Sequence, residues 1–444
     1  MEKLINNLDN FADSTIKNSI LGKPFSAFHG SLKVNLNIQE LFLKLLLLMP
    51  YIILCSLPLP FFANNRLGIG IIIAISLIII FINLAINRNL QISFNTLDLT
   101  ITIFYLGIII STFNSYFLKE SLIGLGKYSL LIISYFLFRV ILYNTSNKEA
   151  EKLLIIQTVI ATLISLFGIY QYFTGTPQLA TWEDISFGDI HTRVYSTLGN
   201  PNLLAGYLLI YLPTALYLSL KKYNSVFYNL MLLISSFLIL TCISFTGSRG
   251  AYIGLGAGIL VLSSLFIIKA KKYTPFIITI LIFTICLLFT FPIFRERIVT
   301  IFSPWDYSSN IFRLNVWSAC YEMLKDNFIF GVGPGNIAFE RAYGLYMKSE
   351  FYALGAYNIF LEIAIQCGII SFLAFISILI ASLSKLHILF WLKKQRFAIA
   401  IFLSIILVMT HGIFDTIFFR PQVMIPFWFL LAYIAKLEQD ERGK

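Results

Sequence analysis

Charged residues are scarce. Only 12% of the 444 residues are Asp, Glu, Lys or Arg, against roughly 25% in an average soluble domain. That shortage excludes an ordinary soluble globular chain, and it equally excludes a disordered one, which needs high charge and low hydrophobicity. Histidine is scarcer still. His29, His191, His387 and His411 are scattered and form no His-Glu-x-x-His pair, so the helical zinc-protease arrangement is missing. The five cysteines have no Cys-x-x-Cys spacing and are odd in number, which gives neither a disulfide framework nor a zinc site. No metal and no cofactor is implied. Ten-residue stretches of strict apolar–polar alternation are absent, so a membrane β-barrel is excluded. There is no early apolar run either: the first begins near Leu41, too late for a secretory signal. No internal repeat is visible, which disfavours a transporter built on inverted repeats.

What the chain does have is apolar sequence, 58% hydrophobic with a mean hydropathy of +0.81. Repeated runs of membrane-spanning length predict an all-α polytopic membrane protein. The expected spans, about twelve, lie at 41–62, 67–86, 97–113, 121–143, 153–173, 203–220, 225–245, 251–268, 275–293, 356–383, 397–414 and 416–435. This divides the chain into an N-terminal tail (1–40), nine spans (41–293), a large ordered polar segment (294–355), three spans (356–435) and a C-terminal tail (436–444). The net charge of +11 does not point to nucleic acid, because the basic residues sit singly at span ends. With the N-terminus inside, the inner short loops carry Arg88, Lys148, Lys152, Lys221, Lys222, Lys269, Lys271, Lys272, Lys385, Lys393, Lys394 and Arg396. The outer short loops carry only Arg66, Lys119, Arg249 and Arg420. The positive-inside bias therefore predicts both termini in the cytoplasm, with segments 174–202 and 294–355 outside.

The polar segment running from Arg295 to Gln366 is far longer than a usual connection, and long ordered loops tend to be functional. It carries Arg313 and Trp317, four apart and so on one helical face. The run Gly331-Val332-Gly333-Pro334-Gly335 follows. No strand precedes these glycines, so they read as a tight re-entry loop and not as a dinucleotide fingerprint. Glu362 falls about two turns into the next expected span, where a carboxylate is costly and by default functional. A hydrogen-bonded carboxylate facing the bundle interior is the plainer alternative, and Lys127 within the fourth span is a possible partner.

Three further clusters face the same side. His191 to Asn202 ends in Asn200-Pro201, a turn and helix-start signal, so a simple capped helix start explains much of it. Gly247-Ser248-Arg249-Gly250 joins two spans. Its arginine either snorkels to the interface or meets a phosphate or diphosphate, the anions arginine suits best. His411 and Asp415 are four apart near the end of a span, close to Arg420, which makes His411 a candidate base.

At these residues the chain resembles the O-antigen ligase and O-antigen polymerase superfamily. The resemblance rests on Ser248-Arg249-Gly250-Ala251, the Arg313 to Trp317 spacing, Gly331 to Gly335, and the outer segment before a long span. Within that superfamily it is most similar to the cyanobacterial IctB branch, through Gly199-Asn200-Pro201-Asn202-Leu203-Leu204-Ala205-Gly206, Ala356-Tyr357, and His411-Gly412-Ile413-Phe414-Asp415 with Arg420-Pro421. The resemblance implies a multi-pass inner-membrane protein. Its partners would be membrane lipid and a glycan carried on undecaprenyl diphosphate at the periplasmic face, and its chemistry metal-independent, inverting glycosyl transfer. Arg193, Arg249 and Arg313 would hold the diphosphate, with Arg341 and Arg420 as weaker candidates. The family's catalytic His-Asn pair falls at Tyr357-Asn358, and a tyrosine is a poor base at neutral pH. His411, oriented by Asp415, is then the candidate replacement, beside Tyr357 and Glu362. Two alternatives stay open: an IctB-like inorganic carbon (bicarbonate) transporter using the same arginines as an anion site, and a catalytically inactive binder of lipid-linked glycans.

Overall fold

The computed structural model describes residues 2–17, 35–59, 66–87, 93–175, 193–221, 223, 225–269, 308–348 and 351–442. The expected span at 275–293, His191, Arg295, Arg297 and Trp305 lie outside the described residues. Among the described residues fourteen α-helices follow in chain order: α1 Glu2–Lys17, α2 Leu36–Ser56, α3 Arg66–Ile86, α4 Thr96–Phe113, α5 Leu118–Tyr143, α6 Asn147–Thr174 and α7 Pro201–Leu220. Then come α8 Val226–Phe245, α9 Arg249–Lys269, α10 Ser308–Asp326, α11 Asn336–Tyr343, α12 Ile359–Trp391, α13 Phe397–His411 and α14 Pro421–Arg442. Among the described residues eight helices are long and apolar enough to cross a membrane, namely α2 to α8 and α12. The apolar stretch Arg249–Leu265 of α9, and α13, are shorter. The protein is an all-α, polytopic membrane protein.

Local sequence sets the helix starts. Asn95 and Asp98 form a reciprocal capping box at α4, the arrangement that satisfies two orphan amides at once. Asn200 caps α7 through the Leu203 N–H, with Pro201 in the first turn, where its missing donor costs nothing. Asn358 caps α12 by accepting from the Phe360 and Leu361 N–H groups.

Burial picks out the centre. In α7, 83% of the most apolar window is buried, against 28% in α2 and in α8, so α7 is the inner helix and those two face outward. Around it pack α8, α13 and α6, while α12 lies along α4, α14 along α5, and α9 along α13. The described part of the polar segment, 308–348, is not loose. Val316, Cys320 and Met323 of α10 bury against Phe339 and Tyr343 of α11 and against Ile365 of α12, giving it a small core of its own.

That segment docks where α12 breaks. Gly368 has φ +73 inside the helix, which frees the carbonyls of Ile365 and Gln366. They are recovered by the Val332 N–H at 2.8 Å and the Gly333 N–H at 3.0 Å, so the re-entry loop supplies the donors that the kink removed. α12 starts three residues later than the expected span and extends further, to Trp391. This places Glu362 in its first turn, not two turns deep, where a carboxylate also suits the positive helix end.

The tail segments also hold structure. Residues 2–17 form α1, whose Asp9 is buried against Lys385 of α12, with Nζ to both carboxylate oxygens at 2.8 and 2.9 Å. Helix α14 carries the C-terminal segment as far as Arg442.

Candidate functional site

The candidate site lies at one end of the bundle, where α7, α9 and α12 begin and α8 and α13 end. Arg193, just before α7, donates through Nε to the Thr246 carbonyl at 2.9 Å and through a terminal nitrogen to Asn202 Oδ1 at 2.8 Å. The Asn202 amide in turn donates to Asp415 Oδ2 at 2.6 Å. This line joins the segment before α7, the end of α8 and the turn after α13. Asp415 also accepts from its neighbour's amide, Thr416 N–H, at 2.7 Å.

His411 ends α13 and is 1% exposed. Its Nε2 lies 3.1 Å from Ser248 Oγ, and its Nδ1 has no hydrogen-bond partner. Gly250 lets α9 approach: a Cβ there would stand 2.7 Å from His411 Cδ2. The four-residue spacing of His411 and Asp415 does not place them on one helical face, because α13 ends at His411 and its cap Gly412. Asp415 therefore hydrogen-bonds Asn202 and not His411, and Ser248 takes the place that the spacing assigned to the carboxylate. Asp415 and Arg313 remain the charges that His411 senses.

Arg313 and Trp317 lie on α10. The Arg313 guanidinium stands 6.0 Å from the centre of the Tyr357 ring, within the range of cation–π attraction, and its Nε is buried without a hydrogen-bond partner. Trp317 Nε1 donates to the Ala356 carbonyl at 2.8 Å, which fixes the chain just before Tyr357. Tyr357 itself has φ +50, a left-handed conformation costly for a bulky residue and found where surroundings enforce it. Burial pushes its phenol above the ordinary range and the Asp415 carboxylate adds to that, while Arg313 opposes both. Tyr357 thus stays protonated at neutral pH. The start of α12 is tied to the end of α13 by Ile359 N–H to Gly412 O at 2.8 Å, which holds Tyr357 and His411 at the same end of the bundle.

Glu362 and Arg341 separate from this group. Glu362 is 1% exposed; its carboxylate accepts from the Ala356 N–H and the Gln366 side-chain amide. Gln366 Oε1 accepts from Gly335 N–H at 2.8 Å and Tyr128 OH at 3.2 Å. Glu362 and Gln366 together fasten the re-entry loop to α12. Arg341 of α11 pairs with Glu120 of α5 at 2.9 Å. Arg249 is the first residue of α9, adjacent to Ser248, and Arg420 is exposed just before α14. Among the described residues no group of three or more His, Cys, Asp or Glu side chains is placed to hold a metal ion.

Two residues in the network carried no assigned role in the sequence. In the sequence Ser248 reads only as a neighbour of Arg249 in the Gly247–Gly250 joint. Asn202 lies two residues after a cap already provided by Asn200; a second amide there, with the cap filled, is the signal that it serves something else.

Residues 234–376 match the family model described as O-Antigen ligase. The matched stretch runs from α8 to just past the kink of α12. It takes in Ser248, Arg249, Arg313, Trp317, the Gly331–Gly335 loop and Tyr357. Arg193, Asn202, His411, Asp415 and Arg420 lie outside it. No curated protein matches the chain. The O-antigen ligase match and the spanning helices together make this a membrane protein with an O-antigen-ligase-like region.

Proposed function

We propose that the protein is a plasma-membrane glycosyltransferase of the O-antigen ligase type, which binds an undecaprenyl-diphosphate-linked glycan at the periplasmic end of the bundle. About twelve spans place both termini in the cytoplasm. The observation that carries this reading is the gathering of Arg313, Tyr357, His411, Asp415, Asn202 and Arg193 from separate parts of the chain. Arginines that merely snorkel would splay toward headgroups on different sides of the bundle. Here Arg313 lies over an aromatic ring and within electrostatic reach of a buried histidine, while Arg193 is oriented by an amide that a carboxylate holds.

In this reading Arg313, Arg249 and Arg193 hold the diphosphate, where several guanidinium groups in a partly dry site are each stronger than one exposed pair. They stabilise the leaving diphosphate as the bond to the sugar's anomeric carbon breaks. The acceptor hydroxyl attacks that carbon from the opposite face, with inversion. Its proton passes to His411, through the Ser248 hydroxyl or at the open Nδ1. Tyr357 does not act as base, since its phenol is held protonated. It walls the site and carries Arg313.

The test is binding and transfer with purified protein and an undecaprenyl-diphosphate sugar. Binding should fall at least about tenfold, the equivalent of about 1.4 kcal/mol, in Arg249→Ala and Arg313→Ala, and stay unchanged in Arg66→Ala. Normal binding in both arginine variants would overturn the reading. The IctB-like alternative would take its place if the same variants bound lipid-linked sugar normally but lost bicarbonate uptake. Normal binding by the parent protein, with no transfer to any acceptor, would instead support the inactive binder.

A further inference from the structure

The bundle end opposite the candidate site carries a helix that is inside out. In α1 the bundle-facing side is acidic. Asp9 is 3% exposed and accepts from Lys385 Nζ at 2.8 and 2.9 Å. It also accepts from the Thr96 N–H at 2.8 Å and the Thr96 hydroxyl at 2.6 Å. Asp13, one turn on, accepts from the Phe94 N–H at 3.3 Å, and Glu2 pairs with Lys393 at 2.7 Å. At 100° per residue these positions form one stripe, with Ala12, fully buried, beside it on the side toward Leu8. The apolar side chains face elsewhere: Leu8 is 42% and Phe11 60% exposed. On the opposite flank Lys3, Asn6, Asn10 and Ser14 are exposed and polar. The helix therefore has three faces, with charge toward the protein, an apolar flank and a polar flank.

An ordinary surface helix buries its apolar stripe against its own core. α1 spends its acidic stripe there instead, and leaves Leu8 and Phe11 for a different partner. We propose that this partner is the interfacial zone of the bilayer, with α1 lying flat at the membrane surface as a rim helix. Three observations argue for lipid as the occupant. α1 is docked at the ends of α4 and α12, through Thr96 and Lys385, so it sits where spanning helices meet the surface. The helices it docks on, α4 and α12, expose apolar side chains of their own, among them Ile103, Leu373 and Ile380. Its polar flank and the exposed Lys3, Lys394 and Arg396 at the same end suit water and anionic headgroups. The Asp9–Lys385 pair is the latch that sets the rotation of α1, and so directs Leu8 and Phe11 downward.

The experiment places single cysteines in the full-length protein at position 8, 10, 11 or 14. Each is labelled with a nitroxide in vesicles containing anionic phospholipid, and the signal of the parent protein is subtracted. Labels at 8 and 11 should collide with oxygen several-fold more than with a water-soluble nickel chelate, and labels at 10 and 14 should show the reverse. Equal nickel access at all four positions would overturn the proposal. Poor access to both reagents at 8 and 11 would also overturn it, because a segment of protein or a second copy would then cover the flank. The latch is tested by Asp9→Asn with the label at 11, which should lose its preference for oxygen; an unchanged ratio would overturn the latch. None of these readings depends on glycan transfer.

Discussion

His411 and Tyr357 share one end of the bundle but are equipped for different work. His411 is buried, has one nitrogen at the Ser248 hydroxyl and the other unpartnered. Tyr357 is strained, half-buried and held protonated. If His411 is the base, His411→Gln should lower transfer by about a hundredfold or more, in the range typical of general-base removal, while lipid-linked sugar still binds. Tyr357→Phe should leave the pH profile of transfer near neutrality unchanged, since the phenol does not titrate there; a shift of that profile would reverse the assignment. Asn202 gives a second expectation. Its loss in Asn202→Leu strips Asp415 of one charge-assisted hydrogen bond and Arg193 of another, each worth about 1.5–3 kcal/mol. Affinity for the diphosphate should therefore drop though Asn202 touches no substrate in this scheme, and Arg193→Ala on top of it should cost little more, because the two act as a unit. Additive losses in that double-variant comparison would show that they act separately.

At the scale of elements, α12 matters most, since its break is what seats the polar segment. A side chain at Gly368 would combine φ +73 with a Cβ 2.1 Å from the Ile329 carbonyl oxygen. Backbone strain alone at such a position costs about 1–3 kcal/mol, and the clash adds to it. Gly368→Ala should lower the melting temperature in detergent and expose 328–335 to limited proteolysis; an unchanged digest would mean that the loop is held by other contacts. α1 makes a prediction with a defined pH sign. Burial opposes ionisation of Asp9, but Lys385 and the two Thr96 donors outweigh it and hold the carboxyl below its usual range. A depressed carboxyl contributes stability that is complete above the ordinary aspartate pKa, about 3.9, and is lost as pH falls through the depressed value. Docking of α1 should thus be constant from neutrality down to about pH 5 and weaken only in stronger acid, as read by a label at position 11. Release near pH 6 would contradict it.

On the scale of the whole molecule, orientation in the membrane is the first quantity to measure. The basic residues predict that a cysteine placed at Lys348 reacts with a membrane-impermeant reagent in intact cells, and that a reporter fused at Lys444 is cytoplasmic. Labelling of cysteines introduced at 269–272, with protection at 348, would invert the protein and move the candidate site to the cytoplasm. The sequence alone determined the class of molecule, because apolar run length is a local property: a stretch long enough to cross the bilayer must be helical, as its backbone groups have no water to turn to. It also determined helix starts such as Asn200-Pro201 and Asn358, since caps act within a few residues. Tertiary structure decided which charges meet. The early end of α13 separated Asp415 from His411 and gave that carboxylate to Asn202, a residue 213 positions away. The kink at Gly368 turned Glu362 and Gln366 into fasteners for the re-entry loop. Arg341 went to Glu120, and Lys385, which reads in sequence as one more loop cation, is 1% exposed beneath Asp9. Partner choice among charges depends on which helix ends are brought side by side, and spacing along one chain does not encode that.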